Sequence, residues 1–411
     1  MSDASTAPVR TGTATMPAGL VIGLLALLLG LQPVTTDLYL PALPTLKAQL
    51  LASMAQSQLT LTALLLAFGC SQLAWGPLSD RWGRRPILLA GLAAYVLAAL
   101  GCALSQSIAT LIFWRTVQGA AMGAGVMGAR AVVRDLYAPV QGAHAMSRAL
   151  TGLGIIACLS PPLGGLLAGH LGWRATMAAL GCFGGLALLL VLLRFEETLP
   201  RPNPLALHPA HLLRTWGQIL RHPTFLAFSA TTTFTYAGLF TYLAASSFTF
   251  IQVLGWSPTA YGLLLSCNAA MYISGTVLCR RLLVRWGLRR SMALAGLLSA
   301  TGGTLMGIFA LAGVQSGWAY ALPFLLYQIA HGIHMPCSQS GAVGPFPQAA
   351  GTAAALNGFA MMLVAFGVGY WLGQRMDGTV LPLALGVWFW GLCAALAAWT
   401  LVQKFGEPAK P

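Results

Sequence analysis

Twelve long apolar segments, separated by short breaks that carry charges, prolines or glycines, follow one another along the chain. They lie at about 17–41, 55–78, 86–106, 108–133, 143–169, 173–195, 222–250, 258–281, 290–312, 317–339, 349–374 and 379–403. Roughly 20 apolar residues in a helix cross the ~30 Å hydrocarbon core of a bilayer. Inside lipid the backbone must satisfy its own hydrogen bonds, so this pattern predicts about twelve membrane-spanning helices. The continuous apolar runs exclude a β-barrel, whose strands alternate.

The longest polar stretch, Glu196 to Arg221, separates the sixth and seventh segments and is rich in proline. We interpret it as a linker between two six-helix halves. The predicted domains are an N-terminal tail at 1–16, the first half at 17–195, the linker at 196–221, the second half at 222–403 and a C-terminal tail at 404–411.

A short motif occurs once in each half. Arg81-Trp82-Gly83 follows the second segment, and Arg285-Trp286-Gly287 follows the eighth, 204 residues later in a chain of 411. Basic turns alone produce similar residues, but the shared motif at about half the chain length favours an internal duplication. Parallel six-helix repeats are an established transporter architecture.

Composition and charge agree with a membrane protein. The chain is 57% hydrophobic and 7% charged, far from the balance of soluble domains. If the N-terminus is cytoplasmic, 18 of the 22 Lys and Arg residues lie on the cytoplasmic side, which predicts that both termini are cytoplasmic. The net charge of +14 then reflects topology and attraction to anionic lipid headgroups, so no nucleic-acid partner is expected.

Candidates for metal or enzyme chemistry are weak. All eight cysteines lie inside apolar segments and no CxxC pair occurs, so neither disulfides nor structural zinc is expected. His331, His334 and Cys337 share a helix face but lack a nearby fourth ligand. No nucleophile, base and orienting group occur together. We expect no cofactor, no metal and no enzymatic activity.

Asp37 is the only one of the eight acidic residues that lies well within an apolar segment. A rise of about 1.5 Å per residue places it in the outer third of the first span, and places Arg115 about 10 Å inside the outer end of the fourth. Ionisable groups at such depth are costly and usually functional or paired. Two interpretations stay open: a static Asp37–Arg115 salt bridge, or proton exchange at Asp37 that Arg115 tunes electrostatically.

Aromatic and amide side chains near the middle of several spans are candidates for a substrate cavity, because such groups suit amphipathic, partly apolar ligands. Each of them alternatively packs between helices or faces lipid. The candidates are Tyr39, Gln118, Tyr236, Phe240, Tyr242, Asn268, Gln328 and Asn357.

Two other groups of residues have distinctive packing and backbone chemistry. Gly76 allows close helix packing, and Asp80 is suited to accept hydrogen bonds from arginines. In the fifth span, Pro161 and Pro162 remove backbone donors, which predicts a kink. For the first group the alternative is a solvated basic turn. For the proline pair the alternative is a kink that serves helix packing alone.

The residues from Gly76 to Pro86, GPLSDRWGRRP, resemble the loop signature between helices 2 and 3 of the major facilitator superfamily. Residues 36–44 (TDLYLPALP), 115–119 (RTVQG) and 160–165 (SPPLGG) resemble its drug:proton antiporters of the bicyclomycin/chloramphenicol-resistance type. Ser160 stands where that group usually has glycine. The resemblance covers the whole chain in the number and order of spans.

This resemblance implies an all-α membrane protein of two six-helix bundles related by pseudo-twofold symmetry. It implies a monomer in the bacterial inner membrane that exports small amphipathic compounds, such as chloramphenicol- or bicyclomycin-like antibiotics, in exchange for protons. The implied cytoplasmic gate comprises Gly76, Asp80, Arg81, Gly83, Arg84 and Arg134, and the implied gating kink of the fifth span comprises Ser160, Pro161, Pro162, Gly164 and Gly165.

Alternatives to drug export remain. A proton-coupled carrier of a physiological metabolite would have the same spans. A membrane receptor or enzyme would need an additional soluble domain or a catalytic group, and no polar stretch is longer than the linker.

Overall fold

A computed structural model describes residues 16–406, except positions 138, 200, 201, 203 and 205. The predicted N-terminal tail up to residue 15 and the C-terminal tail from residue 407 lie outside the described residues.

The described chain is helical nearly throughout. Its α-helices are α1 (Ala18–Asp37), α2 (Leu43–Gln49), α3 (Met54–Trp82), α4 (Arg84–Leu104), α5 (Ile108–Leu136), α6 (Pro139–His170), α7 (Trp173–Arg194), α8 (Pro209–Leu220), α9 (Pro223–Ser247), α10 (Pro258–Leu311), α11 (Trp318–Val343), α12 (Ala350–Arg375), α13 (Leu381–Trp399) and α14 (Leu401–Phe405). Short 3₁₀ turns lie at Leu40–Ala42 and Pro347–Ala349, and a π-helical turn extends α9 over Phe248–Val253.

Nine of the described helices are long and apolar enough to cross a membrane. One of them, α10, contains two spans, because Gly287 at φ 72° breaks it. The helices α5 and α11 are not among the nine, and each carries buried polar side chains, such as Arg115 on α5 and Gln328 on α11. With these two helices the predicted all-α fold of twelve spans is confirmed.

We refer to α1–α7 and α9–α14 as the N-terminal and C-terminal halves, following the predicted division. They meet along α3 against α12 and along α6 against the first part of α10. Glycines permit the second contact: a Cβ added at Gly165 would lie 2.6 Å from the carbonyl oxygen of Pro258, and one at Gly262 would lie 2.6 Å from that of Pro161. Backbones in lipid approach this closely only through small residues.

The repeated Arg-Trp-Gly motif forms the same kind of turn in both halves. Gly83 has φ 101° and separates α3 from α4, while Gly287 has φ 72° and separates the two spans of α10. Both conformations are in a region that essentially only glycine adopts. The shared geometry supports an internal duplication.

The linker lies at the end of the molecule where α1 begins. The backbone N–H of Glu196 contacts the Met16 sulfur at 3.4 Å, and Glu197 binds the first residues of α4. We call this end, with the start of α1, the Gly83 turn and the linker, the basic face, and the other end the opposite face.

Candidate functional site

Asp37 is the last residue of α1 and lies where the two halves meet. Its Oδ1 accepts a hydrogen bond from the Thr36 hydroxyl at 2.9 Å. Tyr236 on α9 and Tyr261 on α10, both from the C-terminal half, lie close enough to interact with it electrostatically. Among the described residues no Lys, Arg or His lies within 4.0 Å of its carboxylate. The carboxylate is therefore half-buried and without a counter-ion in the described part of the chain.

Arg115 is fully buried and binds only neutral groups. Its guanidinium donates to the backbone oxygens of Thr60 and Thr35, both at 3.3 Å, and to Gln118 Oε1 at 2.8 Å. It lies 4.3 Å from the centre of the Tyr39 ring, a cation–π contact. The expected alternative of a static Asp37–Arg115 salt bridge is therefore wrong, because this set of neutral partners holds the arginine inside the N-terminal half.

The Arg115 surroundings include polar residues that the sequence did not single out. The Tyr39 hydroxyl is hydrogen-bonded to the Thr60 hydroxyl. The Thr35 hydroxyl is hydrogen-bonded to the Tyr95 hydroxyl at 2.6 Å. Tyr39 and Gln118 thus belong to a buried network between α1, α3, α4 and α5.

All eight predicted cavity residues are buried. Tyr236 faces Asp37, Phe240 is buried on the same helix, and Tyr242 stacks on Phe324 with ring centroids 3.5 Å apart. Among the eight, Gln328 Oε1 and Asn357 Oδ1 are buried without a hydrogen-bond partner in the part of the chain that the structure describes, whereas Tyr242 interacts with Asn268 and Gln118 with Tyr95. Each such atom costs about 1–3 kcal/mol when unpaired. The middle of the molecule therefore holds polar groups that a ligand or water would satisfy.

The proline pair in α6 creates a hydrogen bond between the halves. Pro162 has no N–H to donate to the carbonyl of Cys158, four residues earlier. That carbonyl instead accepts from Ser266 Oγ on α10 at 2.8 Å. The helix α6 continues through Pro161 and Pro162, and Ser160 Oγ bonds back to Ile156 O at 2.7 Å.

Close packing continues toward the opposite face. Gln58 Nε2 donates to the Ala244 carbonyl at 2.8 Å, joining α3 to α9. A Cβ added at Gly373 on α12 would lie 2.9 Å from the Cα of Ala55 on α3, a second close approach between the halves, whereas one at Gly164 would meet Leu38 within the N-terminal half. The two halves are thus packed together at the opposite face.

At the basic face, Arg84 is the centre of an ion-pair network. It lies 2.6 Å from Asp80 Oδ1 and 2.7 Å from Asp135 Oδ2, and only 2% of its side chain is exposed. Arg134 lies 3.4 Å from Asp80 and 3.9 Å from Asp135. All four residues belong to α3, α4 and α5, so these ion pairs lie within the N-terminal half. Asp135 was not among the predicted residues.

The cytoplasmic gate that the family resemblance implies is not closed by these ion pairs, since they do not connect the two halves. The C-terminal half approaches through Gly351, whose added Cβ would lie 3.7 Å from Arg134 Nη1. Gly76 lines a nearby cavity, and Arg81 is exposed. That these residues form a gate between the halves in another conformation of the protein stays a prediction.

Glu197 caps α4 from the linker. Its two carboxylate oxygens accept from the backbone N–H groups of Arg84 and Arg85 at 2.9 and 3.0 Å. A carboxylate is favoured at a helix N-terminus, where unpaired N–H groups and the helix dipole attract negative charge. The sequence placed Glu197 in a polar linker and did not predict this role.

A cavity of about 1030 Å³ opens at the basic face. The helices α3 and α5, the linker and the start of α12 line it, and its lining includes Gly76, Asp80, Arg84 and Arg134 from the predicted gate. None of the eight predicted cavity residues is part of its wall. The space between the halves is therefore open at the basic face and packed at the opposite face.

The histidines of α11 lie apart from the cavity wall. His331 and His334 on α11 both contact the Thr235 hydroxyl, at 3.3 and 3.4 Å. Within the described part of the chain, no group of three or more His, Cys, Asp or Glu residues is placed to hold a metal ion. In the turn after α12, hydrogen bonds from the Thr379 hydroxyl and backbone N–H hold the pKa of Asp377 below its ordinary value.

The Major Facilitator Superfamily profile matches residues 25–370, and the chain belongs to this superfamily. It is 31% identical to Multidrug resistance protein D of Escherichia coli (strain K12) over 342 residues, 82% of this chain and 84% of that protein. It is 31% identical to the Chloramphenicol resistance protein of Pseudomonas aeruginosa over 326 residues, 78% of this chain and 75% of that protein. The family resemblance drawn from the motifs is confirmed.

The crystal structure of a D-xylose-proton symporter has the same fold, with a TM-score of 0.72 at 17% identity over 94% of this chain and 98% of that one. The chain is a multi-pass membrane protein with a transporter fold.

Proposed function

We propose that this transporter exports small amphipathic compounds, chloramphenicol-like antibiotics among them, in exchange for protons across a bacterial inner membrane. Its similarity to multidrug and chloramphenicol resistance proteins supports this substrate class. The basic face is cytoplasmic in this proposal, with both termini on that side, because most of the Lys and Arg residues flank it.

The observation that carries the proton coupling is the unpaired carboxylate of Asp37 at the boundary of the two halves. It faces Tyr236 and Tyr261 of the C-terminal half and has no cation within salt-bridge distance among the described residues. A carboxylate held by a permanent ion pair would resist protonation, whereas this one is available to gain and lose a proton. Because both halves contribute to its surroundings, a change in its charge acts on the contact between them.

Arg115 has a different role in this proposal. Its guanidinium fixes α1, α3 and α5 together and supplies a buried positive charge inside the N-terminal half. This charge biases Asp37 without pairing with it.

The substrate site lies between the halves, at the buried polar atoms of Gln118, Tyr242, Asn268, Gln328 and Asn357. Gln328 Oε1 and Asn357 Oδ1 have no partner among the described residues in this conformation, and a ligand with hydroxyl and amide groups would pair with them. Protonated and substrate-loaded forms that favour opposite conformations then produce exchange.

Chloramphenicol uptake into inverted vesicles tests the proposal, with an acidic interior imposed on the vesicles. Expression in a host without its own drug pumps first establishes that the wild-type protein raises chloramphenicol tolerance. We expect Asp37→Asn to insert and fold normally but to lose proton-driven uptake, because the amide carries no exchangeable charge. Asp377→Asn is the matched control, since Asp377 lies in an exposed turn at the opposite face, and it should transport as the wild type does.

Near-normal coupled uptake by Asp37→Asn would exclude Asp37 as the proton carrier. A wild-type protein that confers no tolerance to any small drug would instead favour a metabolite carrier.

A further inference from the structure

One arginine in the cavity at the basic face has no counter-ion among the residues that the structure describes. The charged side chains in the wall are Asp80, Arg84, Arg130 and Arg134. Arg84 and Arg134 both lie within 4.0 Å of Asp80 and Asp135, so two cations face two carboxylates. Arg130 makes no ion pair or hydrogen bond with the part of the chain that the structure describes, and its side chain is exposed to the cavity. The cavity therefore has an excess of one positive charge.

Aromatic and amide groups lie on the same wall. Trp75 on α3 and Trp216 on the linker helix α8 both line the cavity. The Trp75 indole N–H donates to the carbonyl of Ala120 at 2.7 Å, which fixes the position of its ring. The amides of Gln72 and Gln218 also line the wall. This combination provides flat apolar surfaces and hydrogen-bonding groups beside an unpaired guanidinium.

We propose that this cavity is an entry site for organic anions, in which a carboxylate or sulfonate pairs with Arg130 and an aromatic body packs against Trp75 and Trp216. A guanidinium binds planar or tetrahedral oxyanions through two parallel donors. The volume, about 1030 Å³, is at the upper end of the roughly 300–1,000 Å³ range of drug-sized pockets. The inference rests on the proposed export function, since it names the class of substrate that would enter from the basic face.

The surrounding charges favour an anion over a cation. The Asp80 carboxylate is engaged by Arg84 at 2.6 Å and by Arg134 at 3.4 Å, so it does not neutralise Arg130. The many basic residues near this face raise the local concentration of anions at the mouth of the cavity. A permanent organic cation would meet the uncompensated Arg130, and we expect it to bind weakly here.

Two probes with the same ring test this assignment: naphthalene-2-sulfonate, an anion, and naphthalene-2-sulfonamide, which is neutral. Binding is measured by isothermal titration calorimetry on the full-length protein in phosphatidylcholine nanodiscs, without a proton gradient. We expect the wild-type protein to bind the sulfonate at least about tenfold more tightly, the range of a charge-assisted hydrogen bond. Arg130→Gln should remove this preference, and Arg130→Lys should retain part of it.

The controls separate charge from folding. Unchanged sulfonamide affinity shows that Arg130→Gln is folded. Arg214→Gln removes an exposed arginine of α8 that is not part of the cavity wall, and it should keep the full preference. Equal wild-type affinity for both probes, or an unchanged preference in Arg130→Gln, would overturn the anion site.

Two further comparisons distinguish the alternatives. If phosphatidylglycerol in the nanodiscs abolishes sulfonate binding through Arg130, an acidic lipid headgroup is the ligand and the assignment to a soluble anion is wrong. Failed sulfonate binding with intact chloramphenicol uptake rejects the anion site alone. Failed uptake with intact sulfonate binding rejects the proposed export function alone.

Discussion

At the scale of single residues, Arg115 shows how a buried cation is satisfied without a carboxylate. Counting positions along a helix marked Asp37 and Arg115 as ionisable residues inside spans, and in the structure Arg115 is fully buried while Asp37 is half-buried. Which way each side chain points depends on how the helices are rotated against one another, and a single sequence does not contain that information. The partners of Arg115 are accordingly two backbone carbonyls and an amide, from Thr35, Thr60 and Gln118.

We predict that Arg115→Lys is strongly defective although the charge is kept. One guanidinium reaches Thr35, Thr60 and Gln118 from different nitrogens and lies over the Tyr39 ring. A lysine ammonium is a compact, strongly hydrated point charge that cannot reproduce this fork. Leaving one or two buried acceptors unpaired costs about 1–3 kcal/mol each. Chloramphenicol uptake should fall about tenfold or more, and the unfolding temperature in detergent should fall as well.

Arg174→Lys is a matched control for that prediction, since Arg174 donates one hydrogen bond to the Ser105 carbonyl and lies over Trp173 near the opposite face. Arg174→Lys should change chloramphenicol uptake and the unfolding temperature only a little. Wild-type uptake by Arg115→Lys would show that the network needs only the positive charge.

At the scale of elements, the start of α4 depends on two residues that are distant in sequence. Gly83 provides a backbone conformation at φ 101° that other residues rarely adopt, and Glu197 caps the helix beside it. A Cβ added at Gly83 would lie 2.6 Å from a Glu197 carboxylate oxygen. The Glu197 carboxylate therefore occupies the space that a side chain at position 83 would need. The backbone conformation and the cap both require glycine at this position.

We predict that Gly83→Ala destabilises the protein more than Gly287→Ala. Both alanines would be strained by the positive φ, at a cost of about 1–3 kcal/mol. Nothing lies within 4 Å of an added Cβ at Gly287, whereas at Gly83 the Glu197 cap must also move. Thermal unfolding of the two purified variants measures the difference. Equal shifts in unfolding temperature would mean that Glu197 contributes nothing to the start of α4.

The contact between α6 and α10 is one of the contacts that join the two halves toward the opposite face. Ser266→Ala leaves the Cys158 carbonyl without its donor, because Pro162 cannot replace it. Hydrogen bonds between helices in membranes contribute about 0.6 kcal/mol on average and up to about 1.7. We predict a shift of a few fold toward conformations that are open at the opposite face.

The shift is measured as the distance between spin labels at Lys47 and Arg375, which lie on the two halves at that face. The labels are attached in a variant that lacks the exposed cysteines. We expect the distance distribution to move to longer distances. Ser274→Ala is the control, since the Ser274 hydroxyl bonds only to its own helix, at Ala270. A distribution unchanged by Ser266→Ala would remove this hydrogen bond from the closure mechanism.

At the scale of the whole molecule, the sequence predicted the all-helical fold and the number and order of the spans well. Hydrophobic length alone defines a membrane helix, so this part needs no tertiary information. The spans that are least apolar, α5 and α11, carry buried polar residues, and polarity inside a span was the useful signal for the site.

Contacts between distant residues were not predictable in the same way. Asp135, Glu197 and Ser266 each gain their role from a partner on another helix. In the sequence they are an acid at the end of a helix, an acid in a linker and a serine in a span. Many residues of these kinds have no such role, so the sequence does not distinguish them. The conformation, open at the basic face, was equally inaccessible, because one sequence must encode every state of the transport cycle.

The Glu197 cap also determines where the chain can be divided for co-expression as two fragments. A break before Glu196 would separate the capping carboxylate from α4 and expose the backbone N–H groups of Arg84 and Arg85. A break after Leu199, whose own N–H also binds Glu197, would leave the N-terminal fragment with its cap intact. The functional border between the two fragments thus lies several residues beyond the last turn of the sixth span.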